Sequence, residues 1–247
     1  MSPNFETPVA EVNVFKSRIG GAPVKRRARF YFILDVSGSM QHSGKIQTLN
    51  LAIRETVPHM VKLAAANPHL ELFIKVLTFA DYAQWQTPDW VPVSLFQWAD
   101  VGADGYTSMG AALSMIAADL ARLPEQERGY PPTLNLVSDG QPTDDFESGL
   151  SDLFGVPWGR KASRVAVAIG RDANIPLLER YINNPAIKPY LANNPESLVR
   201  KIILSSTTGL LNATAPASKP INPQPVPATP AAPVGGTNVP ATASAIW

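Results

Sequence analysis

The chain has 247 residues, of which 45% are hydrophobic and 17% are charged, and its net charge of +1 gives no whole-surface attraction to nucleic acid or membrane. The lack of cysteine in the sequence excludes disulfides, thiolate zinc sites and a cysteine nucleophile, and the scattered His42, His59 and His69 do not suggest an imidazole metal cluster. No apolar stretch approaches the roughly 18 residues of a membrane span, and the N-terminus lacks a signal-peptide pattern, so we expect a cytoplasmic protein.

Composition divides the chain into three parts. Residues 1–27 are interrupted by prolines and glycines and are predicted to be a partly disordered N-terminal lead-in. Residues 28–211 are predicted to form one folded domain of ordinary size. Residues 212–247 are dominated by Pro, Ala, Thr and Gly and cannot bury enough apolar surface to offset the entropy of ordering. This C-terminal tail is therefore predicted to be disordered.

The domain is predicted to begin with a buried strand followed by a long helix. Residues 29–35 contain a continuous apolar run, which is typical of a strand buried on both faces. Residues 44–66 carry apolar residues at helical spacing. Pro58 lies inside this pattern, and because proline removes a backbone donor we expect the helix to kink or restart there.

Strand and helix patterns alternate through the rest of the domain. Strands are predicted at residues 70–79, 82–86, 134–139 and 164–170, with a short edge strand at 187–191. Helices are predicted after Ser108, after Asp144, at 174–183 and at 195–205. This alternation predicts an α/β, Rossmann-like doubly wound fold with helices on both faces of a mostly parallel central sheet. Residues 82–86 follow the preceding strand closely and are expected to be the one antiparallel edge strand.

Oxygen-bearing side chains occur in three loops that follow a buried strand or open a helix. The first loop is an Asp-x-Ser-x-Ser turn, the second carries a threonine and the third begins with an aspartate. In a parallel sheet the ligand site lies outside the carboxyl ends of the strands, where such loops meet. Mg²⁺ and Mn²⁺ are hard cations that prefer oxygen ligands. The sequence therefore predicts a metal site formed by Asp35, Ser37, Ser39, Thr107 and Asp139.

These residues carry a family resemblance. The order Asp35-x-Ser37-x-Ser39, Thr107 and Asp139-Gly140 resembles the metal-ion-dependent adhesion site of von Willebrand factor A domains, over roughly residues 28–207. More narrowly, the segments 32–40, 107–113 and 138–145 are similar to the bacterial TerY-type A domains linked to tellurium resistance and stress operons. Tyr106 departs from that pattern, in which glycine commonly precedes the threonine, and its bulk is expected to shape or cover the mouth of the site.

The resemblance implies how the site would be used. Ser37 and Ser39 would ligate Mg²⁺, or Mn²⁺, directly, and Thr107 would ligate it directly or through water. Asp35 and Asp139 would act largely through bound waters and hydrogen bonds to the hydroxyls. A cation held mainly by neutral oxygens keeps much of its electrophilicity, so a remaining coordination position would favour an Asp or Glu of a protein partner.

The implied function is a metal-dependent protein–protein interaction module and not an enzyme. The TerY-type resemblance further implies a stress or tellurite-resistance signalling system with a Ser/Thr protein kinase and a PP2C-type phosphatase as partners. In that setting the Pro/Thr-rich tail offers phosphate acceptors, of which Thr229 is the first candidate.

Two alternatives remain at this point. The chain would be a metal-dependent phosphohydrolase if Asp35 served as nucleophile or base, although haloacid-dehalogenase-type enzymes need a second acidic residue where this chain has Ser37. A phosphate-cradling Gly-x-x-x-x-Gly-Lys-Ser/Thr motif is missing from the sequence. The other alternative is an A domain whose loops bind no metal. Asp144, with Glu147 three residues later, is expected to cap a short helix and not to bind metal.

Overall fold

The structure is a computed structural model that describes residues 25–124, 129–139, 141–171 and 173–214. The predicted lead-in up to residue 24, the tail from residue 215 with Thr229, and Gly140 lie outside the described residues. The strands are β1 Arg26–Asp35, β2 Leu70–Phe79, β3 Ala83–Trp85, β4 Val91–Pro92, β5 Thr133–Ser138, β6 Ser163–Ile169 and β7 Tyr190–Ala192. The helices are α1 Lys45–Ala66, α2 Met109–Ala121, α3 Phe146–Gly155, α4 Pro157–Lys161, α5 Ile175–Ile182 and α6 Pro195–Thr214.

The described strands form one seven-stranded sheet, in which six strands follow the order β3-β2-β1-β5-β6-β7 and β4 lies off this path, paired with β2. All neighbours from β2 to β7 pair in parallel. The antiparallel edge consists of two short segments, since both β3 and β4 pair with β2. The predicted α/β fold with a mostly parallel sheet and an antiparallel edge is confirmed.

Helices cover both faces of the sheet. Successive side chains of the central strand β1 point to opposite sides, so both faces carry apolar side chains that have to be buried. Phe30, Phe32 and Leu34 belong to a core that they share with α1 and α6. Tyr31 and Ile33 belong to a second core that they share with the helices α2 to α5. The five side chains are fully buried, which explains why the sequence of β1 reads as a continuous apolar run.

Helix α1 does not restart at Pro58; a restart was one of the two outcomes that the sequence predicted, and the other, a kink there, stays a prediction. It continues as one helix of 22 residues from Lys45 to Ala66. Ile53 before the proline and Met60 after it are both buried in the same core. Apolar packing on both sides of Pro58 therefore keeps the helix continuous, although proline lacks one backbone donor.

Helix α6 is longer than predicted, since it ends at Thr214 and not near residue 205. The run of serine and threonine after Leu204 favours a helix end in sequence terms, because these side chains compete for backbone groups. Here Ser205 and Ser206 face inward, and both accept hydrogen bonds from the buried Asn135 amide, at 3.0 and 2.9 Å. Packing against β5 thus overrides local propensity. None of the described helices is long and apolar enough to cross a membrane.

A buried ion pair ties α2 to the sheet. Lys75 of β2 donates to one carboxylate oxygen of Asp119 at 2.7 Å, and the Tyr31 hydroxyl donates to the other at 2.8 Å. The Lys75 ammonium also lies 4.1 Å from the centre of the Trp85 ring. Because both carboxylate oxygens and the ammonium have partners, the pair can be buried without an uncompensated charge.

Helices α2 and α3 cross in direct backbone contact at two glycines. A Cβ placed on Gly110 would lie 2.2 Å from the Asp145 carbonyl oxygen, and one placed on Gly149 would lie 2.2 Å from the Gly110 carbonyl oxygen. No side chain fits between the helices at this point. The contact therefore fixes the start of α2 against the start of α3.

We predict that Gly149→Ala destabilises the domain by about 2 kcal/mol or more, because the added methyl group forces the two backbones apart. Gly155→Ala in the same helix is the matched control, since a Cβ there meets nothing within 4 Å. Urea unfolding of both variants measures the difference. Equal free energies of unfolding for the two variants would contradict the close contact.

Candidate metal centre

The ends of β1 and β5 bring two aspartates to the same edge of the sheet. The two strands pair in parallel, with Leu34 opposite Val137. Asp35 is the last residue of β1, and Asp139 directly follows β5. The structure thus brings together the two carboxylates that the sequence placed 104 residues apart.

The buried side chain of Asp35 shapes the first loop. Its side chain is fully buried, at 0% exposure. One carboxylate oxygen, Oδ1, accepts from the Ser37 amide at 2.9 Å, and the other, Oδ2, accepts from the Ser138 hydroxyl at 2.5 Å. The carboxylate therefore both shapes the Asp-x-Ser-x-Ser turn and joins the ends of β1 and β5.

The two serine hydroxyls of the turn lie in contact with each other and with Asp139. Ser37 Oγ and Ser39 Oγ are 3.0 Å apart, and Ser39 Oγ donates to Asp139 Oδ1 at 2.6 Å. Neighbouring oxygens around an octahedral Mg²⁺ are about 3 Å apart, as follows from a metal–oxygen distance of ~2.1 Å. The spacing of the two hydroxyls and their chemistry therefore fit a hard divalent cation.

Backbone hydrogen bonds hold the Thr107 loop against the first loop. The Gly38 amide donates to the Gly105 carbonyl, and the Asp104 amide donates to the Val36 carbonyl, both at 2.9 Å. Thr107 itself is buried. These contacts bring Thr107 to the same edge of the sheet as the two aspartates, and its role as a metal ligand stays a prediction.

The loop after Asp139 in turn holds the start of α2. The Thr143 hydroxyl accepts from the Thr107 amide at 3.0 Å, and the Thr143 amide donates to the Thr107 carbonyl at 3.0 Å. The Asp144 carboxylate accepts from the Gly110 and Ala111 amides at 2.9 and 2.8 Å. Asp144 thus caps the positive end of α2 and stabilises it.

The predicted capping role of Asp144 needs a correction. Asp144 caps α2, the neighbouring helix, whereas α3 is capped by Asp145, which accepts from the Ser148 amide at 2.9 Å. The sequence correctly indicated an acidic cap before Glu147, but the capping residue is Asp145 and not Asp144. Neither carboxylate is directed to the metal loops by these bonds.

Lys45 is a residue of the site that the sequence prediction missed. Its ammonium donates to Asp139 Oδ2 at 2.7 Å. The Lys45 side chain is only 12% exposed and that of Asp139 only 1%. Ser43 and Gly44, with φ angles of 55° and 73°, turn the chain back toward the site just before Lys45. In sequence, Gly44 was the only hint of this turn, since glycine adopts positive φ without strain.

Tyr106 lies at the rim of the site. Its amide donates to Asp81 Oδ1 at 2.7 Å, which fixes the backbone on the outer side of the Thr107 loop. The Tyr106 side chain is 71% exposed, so its ring points largely into solvent and does not fill the site. Tyr82, from the neighbouring loop, is exposed in the same way.

Burial, together with the smaller effect of the charge of Asp139, raises the pKa of Asp35 to about 6. The hydrogen bonds from Ser138 and Ser37 act in the opposite direction, because they stabilise the ionised form. At neutral pH the site therefore holds a carboxylate whose ionisation is costly. A cation beside it would offset that cost.

The donor set is poor in charge for a metal site. The described ranges contain no group of three or more His, Cys, Asp and Glu side chains placed to hold a metal. A cation here would rely on serine and threonine hydroxyls together with Asp35 and Asp139. Such a set suits Mg²⁺ or Mn²⁺ better than soft metals.

Comparison with solved structures identifies the fold. A von Willebrand factor type A protein from Catenulispora acidiphila matches with a TM-score of 0.56 and 15% identity, over 76% of this chain and 43% of that chain. The pilus adhesin SpaC from Lactobacillus rhamnosus GG matches with a TM-score of 0.60 and 10% identity, over 77% and 31%. The chain has the von Willebrand factor A fold.

A third match is proximal thread matrix protein 1 from the mussel byssus, in a structure with a zinc-occupied metal-ion-dependent adhesion site motif. Its TM-score is 0.52 at 16% identity, over 75% of this chain and 46% of that chain. The chain thus spans less than half of the length of each of these three proteins. Neither a protein-family model nor a curated protein sequence matches the chain.

We predict that Asp35→Asn raises the free energy of unfolding in EDTA above pH 6 by up to about 3 kcal/mol, the equivalent of the difference between pKa 3.8 and about 6. The folded-state pKa is raised, so the penalty of the buried charge is full above pH 6. It declines as pH falls through 6 and vanishes below about 4. Asparagine retains an acceptor for the Ser37 amide and a polar partner for Ser138.

Urea unfolding of the wild type and Asp35→Asn between pH 4 and 8 measures this effect. The difference between the two free energies cancels the titration of other groups. A difference that is constant across this range would contradict the raised pKa of Asp35.

Proposed function

We propose that this A domain is a metal-dependent protein–protein interaction module. One observation carries the proposal: Ser37, Ser39 and Asp139 form a continuous chain of oxygen contacts at the carboxyl edge of the sheet. This is the edge at which α/β folds bind their ligands. The zinc-occupied adhesion motif of the mussel protein, which has the same fold, supports it.

Ser37 and Ser39 would hold Mg²⁺, or Mn²⁺, through their hydroxyls, and Thr107 would do so directly or through water. Asp35 and Asp139 would supply the negative charge that attracts the cation. When bound, the metal would offer a coordination position to an Asp or Glu of the partner. The chain's own residues orient that position, since main-chain hydrogen bonds hold the three loops together.

Burial of Asp35 argues against the phosphohydrolase alternative. Both oxygens of this fully buried carboxylate already accept hydrogen bonds, from Ser37 and Ser138. A nucleophile has to reach the substrate phosphorus, and a general base has to reach the attacking water. Asp35 in this arrangement is suited to shape the turn and not to attack a substrate.

The finer proposal is that the domain acts in a bacterial stress or tellurite-resistance signalling system with a Ser/Thr kinase and a PP2C-type phosphatase. It is supported by the TerY-type sequence segments around Asp35, Thr107 and Asp139. A cytoplasmic location belongs to the same proposal. The identity of the captured partner tests it.

We predict that the chain binds Mn²⁺ and Mg²⁺ and that Ser39→Ala weakens this affinity about tenfold or more, because it removes a hydroxyl ligand and the partner of Asp139. Isothermal titration calorimetry with each metal measures the dissociation constants. Ser94→Ala, at an exposed serine away from the metal loops, is the control and is expected to bind like the wild type. Wild-type protein that binds neither metal would overturn the proposed function.

We also predict that partner capture depends on the metal. The full chain as bait is expected to retain its partner with Mg²⁺ and to lose it with EDTA, with Asp35→Ala or with Thr107→Ala. The Ser94→Ala bait should behave as the wild type does. Substitution of the partner's contacting Asp or Glu by Asn or Gln should also abolish capture. Identical capture under all these conditions would refute a metal-gated contact, and a captured partner that is neither kinase nor phosphatase would refute the finer proposal.

A further inference from the structure

Lys45 places a positive charge beside Asp139, the carboxylate that is proposed to attract the metal ion. Its ammonium is 2.7 Å from Asp139 Oδ2, while the other oxygen of the same carboxylate accepts from Ser39 Oγ at 2.6 Å. Asp139 therefore has one oxygen engaged by a predicted metal ligand and the other by a cation from the chain itself. The ion pair and the metal loops share one carboxylate.

The burial of this ion pair makes it significant. The side chains of Lys45 and Asp139 are 12% and 1% exposed, whereas exposed Lys–Asp pairs contribute little and exchange readily with water. A carboxylate as buried as Asp139 is stabilised by a counter-charge, and removal of that charge is strongly destabilising. Lys45 supplies it from within the chain.

The local backbone brings Lys45 to this position. It is the first residue of α1 and lies six residues after Ser39 in the sequence. The positive φ angles of Ser43 and Gly44 reverse the chain between them. The lysine is thus anchored on a long helix at one end and bonded to Asp139 at the other.

A divalent cation at Ser37 and Ser39 would meet this ammonium across Asp139. Two cations on opposite oxygens of one buried carboxylate repel each other strongly, because little water screens them. A metal ion can therefore enter only by weakening or displacing the bond between Lys45 and Asp139. The free energy needed to weaken that bond opposes metal binding, so it lowers the affinity for the metal.

We propose that Lys45 is a tethered cation that competes with the divalent metal for Asp139 and so sets the metal concentration at which the adhesion site fills. This inference rests on the proposed function, since it presumes a metal at the same loops. In this role Lys45 also keeps Asp139 and Ser39 in place before the metal arrives. It acts on the metal through Asp139 and not as a ligand.

The test is calorimetric titration of Mn²⁺ and Mg²⁺ into the full chain with Lys45→Met, which keeps the length of the side chain but removes its charge. Competition predicts that Lys45→Met binds the metal about tenfold tighter or more than the wild type. Lys45→Arg, which retains the charge, should remain weak. Lys62→Met is the matched control, because it removes one charge from an exposed position about 25 Å along the same helix, and should bind as the wild type does.

A lysine that only positions Asp139 predicts the opposite sign, so equal or weaker metal binding by Lys45→Met overturns the proposal while leaving the metal site intact. Absence of binding in both the wild type and Lys45→Met refutes the proposed function itself. Thermal unfolding adds a second readout: Mn²⁺ should raise the melting temperature of Lys45→Met by more than that of the wild type.

If Lys45→Met does not fold without metal, chemical labelling of the wild type tests the proposal instead. Reductive methylation followed by mass spectrometry should label Lys45 faster in saturating Mn²⁺ than in EDTA, with Lys62 as the internal reference. Unchanged labelling of Lys45 would show that the metal does not displace it and would overturn the proposal.

Discussion

The buried carboxylate of Asp35 is the constraint on which the site depends. It accepts from Ser37 in its own loop and from Ser138 at the end of β5, and so joins the two central strands where the loops leave the sheet. Fully buried, it can be ionised only at a cost, which its two hydrogen-bond donors partly offset. The same group thus fixes the turn and makes the edge attractive to a cation.

Negative and positive side chains nearly cancel around this carboxylate. Asp35 and Asp139 supply two negative charges, and Lys45 returns one positive charge through its bond to Asp139. The remaining donors, Ser37 and Ser39, are neutral. The site is therefore neither a strongly acidic pocket that would retain any cation nor a neutral loop cluster that would bind none. The affinity of the proposed site for a cation would therefore be a small difference between attraction by the two aspartates and repulsion by Lys45, and single residues could change it.

Much of this could be predicted from the sequence. The apolar run before Asp35 and the alternation of elements predicted the fold, because burial on both faces leaves a distinct pattern in a parallel strand. The oxygen-bearing residues at strand ends predicted which loops meet. Their roles as ligands remain predictions, but the structure does bring Asp35, Ser37, Ser39 and Asp139 into one network.

Three of the errors share one physical origin, namely that tertiary contacts outweighed local signals, whereas the fourth, at Lys45, lies in a local turn of the backbone. Helix α6 runs past Ser205 because that side chain bonds to Asn135 across the interface. Helix α1 continues through Pro58 because core packing holds both halves. Lys45 was missed because its position depends on the positive φ of Ser43, which no sequence pattern indicates. Asp144 was assigned to the wrong helix because its partners lie more than 30 residues away.

The loops of the site are joined by main-chain atoms, through the bonds of Gly38 to Gly105 and of Asp104 to Val36. Helices α2 and α3 touch backbone to backbone as well. The frame of the site is thus independent of most of the side chains that it presents. A change of donor group that keeps the size of the side chain therefore leaves these main-chain bonds in place. At the proposed metal site, the donor side chains would therefore determine which cation is preferred, while the main chain maintains the positions of the loops.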